Sequence, residues 1–367
     1  MNLDAVVFVD GTDGFHSDGG GTSRCRVLVV GSGPAGASAA LRLSRLGEGD
    51  VIVLERLSEA QHRRYHSICG EAVSDRAMRL AGVSTSHVLR RVSSIEISMR
   101  GSPPARVKVR GSIVDRSAML EEMLGASSAR RVKGAARSVR RLPEGEFEVE
   151  TSSGAIVCDV LIGADGAHSV VRRDVFGTRP ERLDPIVNTV VPGKPDGVLR
   201  FFVGDGVPGG YRWEFPSGEG SMSVGFPKGL GSVPEGAEHG ARNIPTGRVP
   251  KAWEDGCLLA GDAAGLANPF CYGGIGAALL SGRKAAEAAV SGDYKGYGGW
   301  VDRDVMFSRR FMEAHRQFEK WTEEDIEDAA KPLAGNANIF KGLVAMARRP
   351  KFAKVYLACW MGFRVGW

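Results

Sequence analysis

Nowhere in the 367 residues is there an unbroken apolar run of the roughly 18 to 20 residues that a membrane-spanning helix needs. The first residues carry Asp4 and Asp10 where a secretory signal would have a basic region and an apolar core, so the chain is expected to be neither secreted nor integral. The six cysteines (Cys25, Cys69, Cys158, Cys257, Cys271 and Cys359) show no CxxC pair and no metal-type spacing. That argues against a disulfide framework and an iron–sulfur cluster, and for a reducing, cytoplasmic setting with no metal. Charge of one sign is also scarce: 48 basic residues nearly balance 43 acidic ones, for a net charge of +5. With no long basic stretch interleaved with stacking aromatics, nucleic acid is not an expected partner.

What the chain has in excess is glycine, 50 residues, much of it in turn-like clusters where a backbone must approach a ligand or take positive φ. Residues 1–23, rich in Gly, Ser, Thr and Asp towards their end, read as a flexible extension. From Arg26 the sequence RVLVVGSGPAGASAALRLSRLGEGDVIVLER spells a buried strand, a glycine-rich turn, an Ala/Leu helix and a second apolar strand. In such a βαβ unit Gly31 permits the tight turn, Gly33 lets the backbone approach a pyrophosphate, and Gly36 allows close packing of the helix that begins at Pro34 and Ala35. Glu55, followed by Arg56, closes the second strand where a carboxylate can accept hydrogen bonds from both hydroxyls of an adenosine ribose. The turn alone does not separate FAD from NAD.

Two later segments decide for FAD. Residues 159–172, DVLIGADGAHSVVR, and 257–282, CLLAGDAAGLANPFCYGGIGAALLSG, each begin as a strand and break at an acid–glycine pair. In this order after a βαβ unit they resemble the flavoprotein family of p-hydroxybenzoate hydroxylase. The resemblance implies that Asp262, after Gly261, holds a ribityl hydroxyl and that Asp165 and Gly166 support the flavin. Backbone amides near Gly273, Gly274 and Ile275, at a helix start, would face the flavin edge that gains negative charge on reduction. The implied fold is α/β: a glutathione-reductase-like FAD-binding Rossmann domain, an inserted antiparallel-sheet substrate domain and a C-terminal helical region. The expected boundaries are 24–90, 113–178 and 248–295 for FAD binding, 91–112 and 179–247 for the substrate sheet, and 296–367 for the helices.

Three further stretches, YHSICGEAVS at 65–74, IVDRSAMLEEML at 113–124 and GGYRWEFPSGEGSMSVGF at 209–226, are similar to geranylgeranyl reductases, especially the archaeal enzymes that saturate the isoprenoid chains of membrane lipids. Tyr211, Trp213 and Phe215, before Pro216, alternate onto one face of a strand, which either packs the sheet or walls a long apolar slot. Gly225 follows, but the family's Gly-x-Gly becomes Gly225-Phe226-Pro227 here, a departure at the substrate edge.

The resemblance puts Cys69, Gly70 and Glu71 beside the flavin, with Cys69 either a buried hydrophobe or a reacting thiol, and Glu71 an acid–base candidate. It puts Arg116 near the cofactor; as a plain residue it reads as part of a helix N-terminal ion pair with Asp115. The implied reaction is hydride transfer from reduced flavin to an isoprenoid double bond, with NAD(P)H or a ferredoxin as electron donor, since no second GxGxxG marks a nicotinamide domain. An aromatic monooxygenase, a quinone-linked dehydrogenase and a non-catalytic prenyl-binding protein like the Rab GDP-dissociation inhibitors are the alternatives. In the tail, Phe352, Tyr356, Trp360, Phe363 and Trp367 fall beside basic residues at helical spacing, as in helices lying on an anionic membrane or in an ordinary docking helix. A lipid substrate would favour peripheral contact with the inner face of the cell membrane.

Overall fold

The computed structural model describes residues 22–204, 209–365 and 367. The extension expected over 1–23 therefore falls outside them except at its end, where Thr22 and Ser23 already belong to the first strand. In chain order the elements begin β1 (Thr22–Val30), α1 (Pro34–Arg45), β2 (Val51–Glu55), α2 (Glu59–Ser67), β3 (Ala72–Ser74) and α3 (Asp75–Ala81). There follow β4 (Val88–Met99), β5 (Ala105–Val114), α4 (Arg116–Gly125), β6 (Arg130–Lys133), β7 (Ala136–Arg141), β8 (Phe147–Thr151) and β9 (Gly154–Gly163). Next come β10 (Arg182–Pro192), β11 (Val198–Val203), β12 (Tyr211–Pro216), β13 (Ser221–Pro227), β14 (His239–Thr246), β15 (Trp253–Glu254) and β16 (Cys257–Leu259). The last are α5 (Ile275–Ser291), α6 (Tyr294–Arg303), α7 (Arg310–Phe318), α8 (Glu323–Ala330), β17 (Gly335–Asn336), α9 (Ile339–Arg348) and α10 (Ala353–Val365).

The first sheet has the order β15-β16-β9-β1-β2-β6, with β1 parallel to β2 and β9 and with β7 and β8 forming an antiparallel extension of β9. Its central strands are buried along both faces, which is why Val27–Val30 and Val51–Leu54 read as continuous apolar runs rather than alternating ones. α1 and α5 pack on it almost backbone to backbone: a methyl on Gly282 would lie 2.0 Å from the Ala35 carbonyl oxygen. Ser38 Oγ donates to the Leu279 carbonyl at 2.7 Å across the same contact. The glycine and alanine of these helices thus let two helix axes approach closely enough to bring both N-termini to one edge of the sheet.

The second sheet runs β14-β10-β13-β12-β11-β4-β5-β17, with β3 also paired to β5. It is antiparallel except where β11 meets β4 and β17 meets β5. Along β12, Tyr211, Trp213 and Phe215 are buried while Arg212 and Glu214 are not, the alternation a half-covered strand requires. The covering layer is α10: Phe363 and Trp367 join the aromatic cluster, and Phe201 stacks edge-on between Tyr211 and Phe215. In the tail, Phe352, Tyr356, Phe363 and Trp367 all turn inward, and Trp360 alone of the expected stripe is exposed. The outward apolar face lies one helix earlier, on α9, at Ile339, Phe340, Leu343 and Val344.

Candidate active site

The chain leaves β1 at Val30 and turns into α1 through Gly31, whose φ of +97° is in the left-handed region. A side chain there would come within 2.4 Å of the Ala164 carbonyl oxygen, and one on Gly36 within 1.8 Å of the Gly31 carbonyl oxygen. Both positions demand glycine on steric grounds alone. Most helices for which a start is defined carry a side-chain cap: Ser58 on α2, Ser74 on α3, Asp115 on α4, Asp293 on α6, Thr322 on α8 and Asn338 on α9. α7, which follows Arg309, lacks one, and so do α1 and α5, which begin at Gly33 and Gly274, where a bare glycine leaves the first-turn amides open to something else.

At the end of β2 Glu55 is buried and already accepts from Ser32 N (3.0 Å), Ser32 Oγ (2.7 Å) and Leu57 N (2.8 Å). It fastens the glycine turn to β2, and a carboxylate's four lone-pair directions leave room for a further donor. Arg56, next in sequence, is exposed. Above the turn sits His66, which sequence reasoning missed: a methyl on Gly33 would touch its Cε1 at 3.6 Å. Burial, with Arg116 beside it, holds the His66 imidazolium pKa well below its usual value, so the ring is neutral.

After β9 the Asp165 carboxylate accepts from Val170 N (2.7 Å) and Val171 N (3.2 Å) through one oxygen, while the other is buried without a partner. Gly166 has φ +79° and open space where a side chain would be. Arg172 ties this loop to the next by donating to the Ala263 carbonyl (2.9 Å) and the Ala167 carbonyl (2.7 Å). After β16 a single 3-10 turn, Gly261–Ala264, presents Asp262. Desolvation raises its carboxyl to about 6 against the opposing pull of Arg242, Arg116 and Arg172. Gly274, the uncapped start of α5, is its neighbour: a methyl there would lie 3.6 Å from Asp262 Oδ1.

Beside the start of α5 an apolar cavity of about 90 Å³ opens against the second sheet. Cys69, Gly70 and Glu71 line it on one side, Tyr272, Gly273, Gly274 and Ile275 on another, and Trp213, Phe215, Phe363 and Trp367 close it. Tyr211, Pro216 and Gly225 are not among the residues that line it. Gly225 makes room for the indole, since a methyl there would fall 1.9 Å from Trp213 Cζ2. What the aromatic face of β12 walls is therefore a short cavity and not a long slot, because α10 brings two more rings against it.

Glu71 is the most unusual residue here. It is buried, has φ of 52°, and desolvation raises its carboxyl to about 8, although Arg116 pulls the other way through its charge and an amide hydrogen bond of 3.2 Å. Non-glycine residues rarely hold such backbone angles unless the surroundings enforce them. Tyr272, also at positive φ (46°), faces Tyr211 across 5.3 Å between ring centroids. Arg116 donates to the His66 carbonyl at 3.0 Å, and Arg242 on β14 donates to the carbonyls of Tyr65 and Ile68, the latter at 2.7 Å. These two arginines clamp the loop that carries Cys69 to Glu71. Arg242 gave no signal in the sequence, being a lone arginine 174 residues from its partner Ile68.

The arrangement fits FAD: an uncapped helix start for a pyrophosphate, a buried carboxylate at the end of β2 for a ribose, and a second uncapped start at an apolar cavity for a ring that gains negative charge on reduction.

Comparison with known proteins agrees. Residues 24–98 match the FAD binding domain family. Digeranylgeranylglycerophospholipid reductase 1 of Methanopyrus kandleri is 28% identical over 349 residues, covering 84% of this chain and 89% of that protein. Digeranylgeranylglycerophospholipid reductase 2 of Methanothermobacter thermautotrophicus is 29% identical over 319 residues, covering 74% and 80%. Among solved structures, a geranylgeranyl bacteriochlorophyll reductase-like protein from Thermoplasma acidophilum superposes with a TM-score of 0.74 at 21% identity, covering 91% of this chain and 98% of that one. A probable FAD-dependent monooxygenase from Pseudomonas aeruginosa shares the fold at a TM-score of 0.58 and 17% identity, covering 91% and 100%. The chain is an FAD-dependent oxidoreductase with the fold of these flavoproteins.

Proposed function

We propose that the chain saturates isoprenoid carbon–carbon double bonds, of the geranylgeranyl class, in a membrane lipid. The observation that carries this reading is the meeting, in one apolar cavity, of the uncapped α5 start, an aromatic wall and a carboxyl that burial keeps protonated. The relatives named for the same reaction support it. Reduced FAD, when bound, supplies the hydride.

The residues divide the remaining work. Gly31, Gly33, Pro34, Ala35 and Gly36 hold the pyrophosphate, Glu55 the ribose, and Asp262, after Gly261, a ribityl hydroxyl. Amides at Gly273, Gly274 and Ile275 favour the reduced form electrostatically. Asp165, Gly166 and Arg116 support the loops around the ring. An unactivated alkene needs a proton as well as a hydride, and Glu71 holds one at neutral pH because its carboxyl titrates at about 8. Cys69 and Gly70 shape the approach to it: a methyl on Gly70 would meet Phe215 at 2.9 Å.

Trp213 and Phe215 position the chain, a step that can supply on the order of 7–11 kcal/mol of the barrier. At about 90 Å³ the cavity is smaller than the roughly 300–1,000 Å³ of ordinary ligand pockets. Substrate admission therefore displaces Phe363 of α10 and Trp367, which lies just beyond it. Electrons come from an external donor, NAD(P)H or a ferredoxin. The exposed apolar face of α9, Phe340 being 76% exposed, with Lys341, Arg348 and Lys351 nearby, makes peripheral contact with an anionic bilayer. Among the described residues no helix is long and apolar enough to cross one.

Lipid mass spectrometry of a host that makes geranylgeranyl lipids and expresses this chain tests the reading. A gain of two hydrogens per double bond supports it; unchanged lipid masses in the presence of flavin-loaded protein reject it. Substrate-stimulated oxygen uptake would favour a monooxygenase instead.

A further inference from the structure

A second and larger cavity, about 420 Å³, lies away from the chemistry just described. The 265–275 loop serves both: residues 265–269 line this cavity and residues 271–275 the catalytic one. Its floor is apolar, with Leu266, Phe307, Phe311 and Met312, whereas its charged lining is four arginines against two glutamates. Arg248 is the built part. Its side chain is 10% exposed, and Nη1 donates to the Val301 carbonyl at 2.9 Å and to Asp302 at 2.6 Å, yet its Nε is buried with no partner. Asn268, 2% exposed, repeats the pattern: its Oδ1 accepts from Phe270 N at 2.8 Å and its Nδ2 has no partner. Both unmet atoms are sealed from solvent and so do not open into the cavity, whereas Nη2 of the same Arg248 guanidinium is neither sealed nor engaged in these bonds. At the mouth, Arg316 is committed to Glu181, but Arg179 and Arg309 are exposed and pair with no acid among the described residues.

We propose that this cavity holds a phosphate-type anion carried on an apolar body, with Arg248 Nη2 donating from the wall and Arg179 and Arg309 closing over the charge. Guanidinium groups suit a phosphate by geometry and weak hydration, and the apolar floor takes the adjoining glycerol or hydrocarbon. A lipid headgroup and free phosphate share this chemistry. The site does not depend on the prenyl reading, since its test is binding and not turnover.

The experiment is calorimetric titration of the FAD-loaded full chain with inorganic phosphate and, separately, with dihexanoyl phosphatidic acid below its critical micelle concentration. Loading with FAD keeps the α1 turn out of the measurement. Stoichiometric binding is expected, weakened at least tenfold in the Arg179→Glu/Arg309→Glu variant while flavin content and thermal unfolding stay unchanged. Tighter binding of the short lipid by tenfold or more identifies a headgroup as the source; equal binding identifies free phosphate. Absence of binding by either probe, or binding that survives the double variant, overturns the site.

Discussion

The glycine turn before α1 and the loop at Cys69–Glu71 both border the candidate flavin site, but they are specified in opposite ways. At the turn, backbone carbonyls 1.8–2.4 Å from any added side chain dictate the residue type, so function and steric necessity coincide. At the loop the geometry is held from outside, by Arg116 and Arg242 reaching in from α4 and β14 to carbonyls at 65–68. One region is written locally, the other by tertiary contacts that join distant segments. Mutations at the turn are therefore expected to abolish cofactor binding, and mutations at the loop to alter chemistry while leaving the cofactor in place.

The contrast is broken most severely at the turn. Gly36→Val forces a branched side chain into the Gly31 carbonyl and is expected to lower FAD retention by more than about 100-fold, read as the ratio of flavin to protein absorbance after gel filtration; a yellow, stoichiometric variant would contradict the assignment.

At the loop, Glu71→Gln is expected to keep FAD and reduce turnover by about 100-fold, the lower range for a lost general acid. In the parent the rate should fall as pH rises through about 8, where Glu71 loses its proton. The same shift sets a stability trend. The folded-state pKa of Glu71 is raised, so its contribution is fully present below the unfolded value near 4.5 and is lost as pH rises through about 8. Urea titrations should show the glutamine variant gaining on the parent between about pH 4.5 and about pH 8 and no further above it; parallel curves would place the carboxyl elsewhere.

Between these extremes, Asp262→Asn is expected to weaken FAD by about tenfold, as for one charge-assisted hydrogen bond, without unfolding the chain, measured by fluorescence titration of apoprotein. The smallest effect belongs outside both regions. Phe340→Glu on the exposed face of α9 should lower sedimentation with anionic liposomes several-fold and leave flavin content unchanged.

The same comparison explains how much of the molecule was legible beforehand. The βαβ unit, the strands at 159–163 and 257–259 and the glycine start of α5 carry short-range patterns, and FAD followed from them. The face of β12 was legible too, because period two survives in Tyr211, Trp213 and Phe215. What covers that face was not: Phe363 and Trp367 reach it from α10, and nothing in a local pattern distinguishes a ring that turns inward from one that meets a membrane. Of the two readings that the tail stripe leaves open, the fold takes the docking helix, with Phe352, Tyr356, Phe363 and Trp367 turned inward, and the exposed apolar face lies on α9. His66 and Arg242 were missed for the same reason, since each matters only through a partner brought near by folding.

On the proposed function, reduced FAD in this chain delivers hydride to an isoprenoid double bond. Reducing the purified holoprotein with dithionite under anaerobic conditions, removing the reductant and adding a geranylgeranyl lipid tests it without needing the natural electron donor. The prediction is recovery of the oxidised-flavin absorbance band together with a lipid heavier by two hydrogens. Flavin that stays reduced with the lipid present, and reoxidises only when air is admitted, would contradict it.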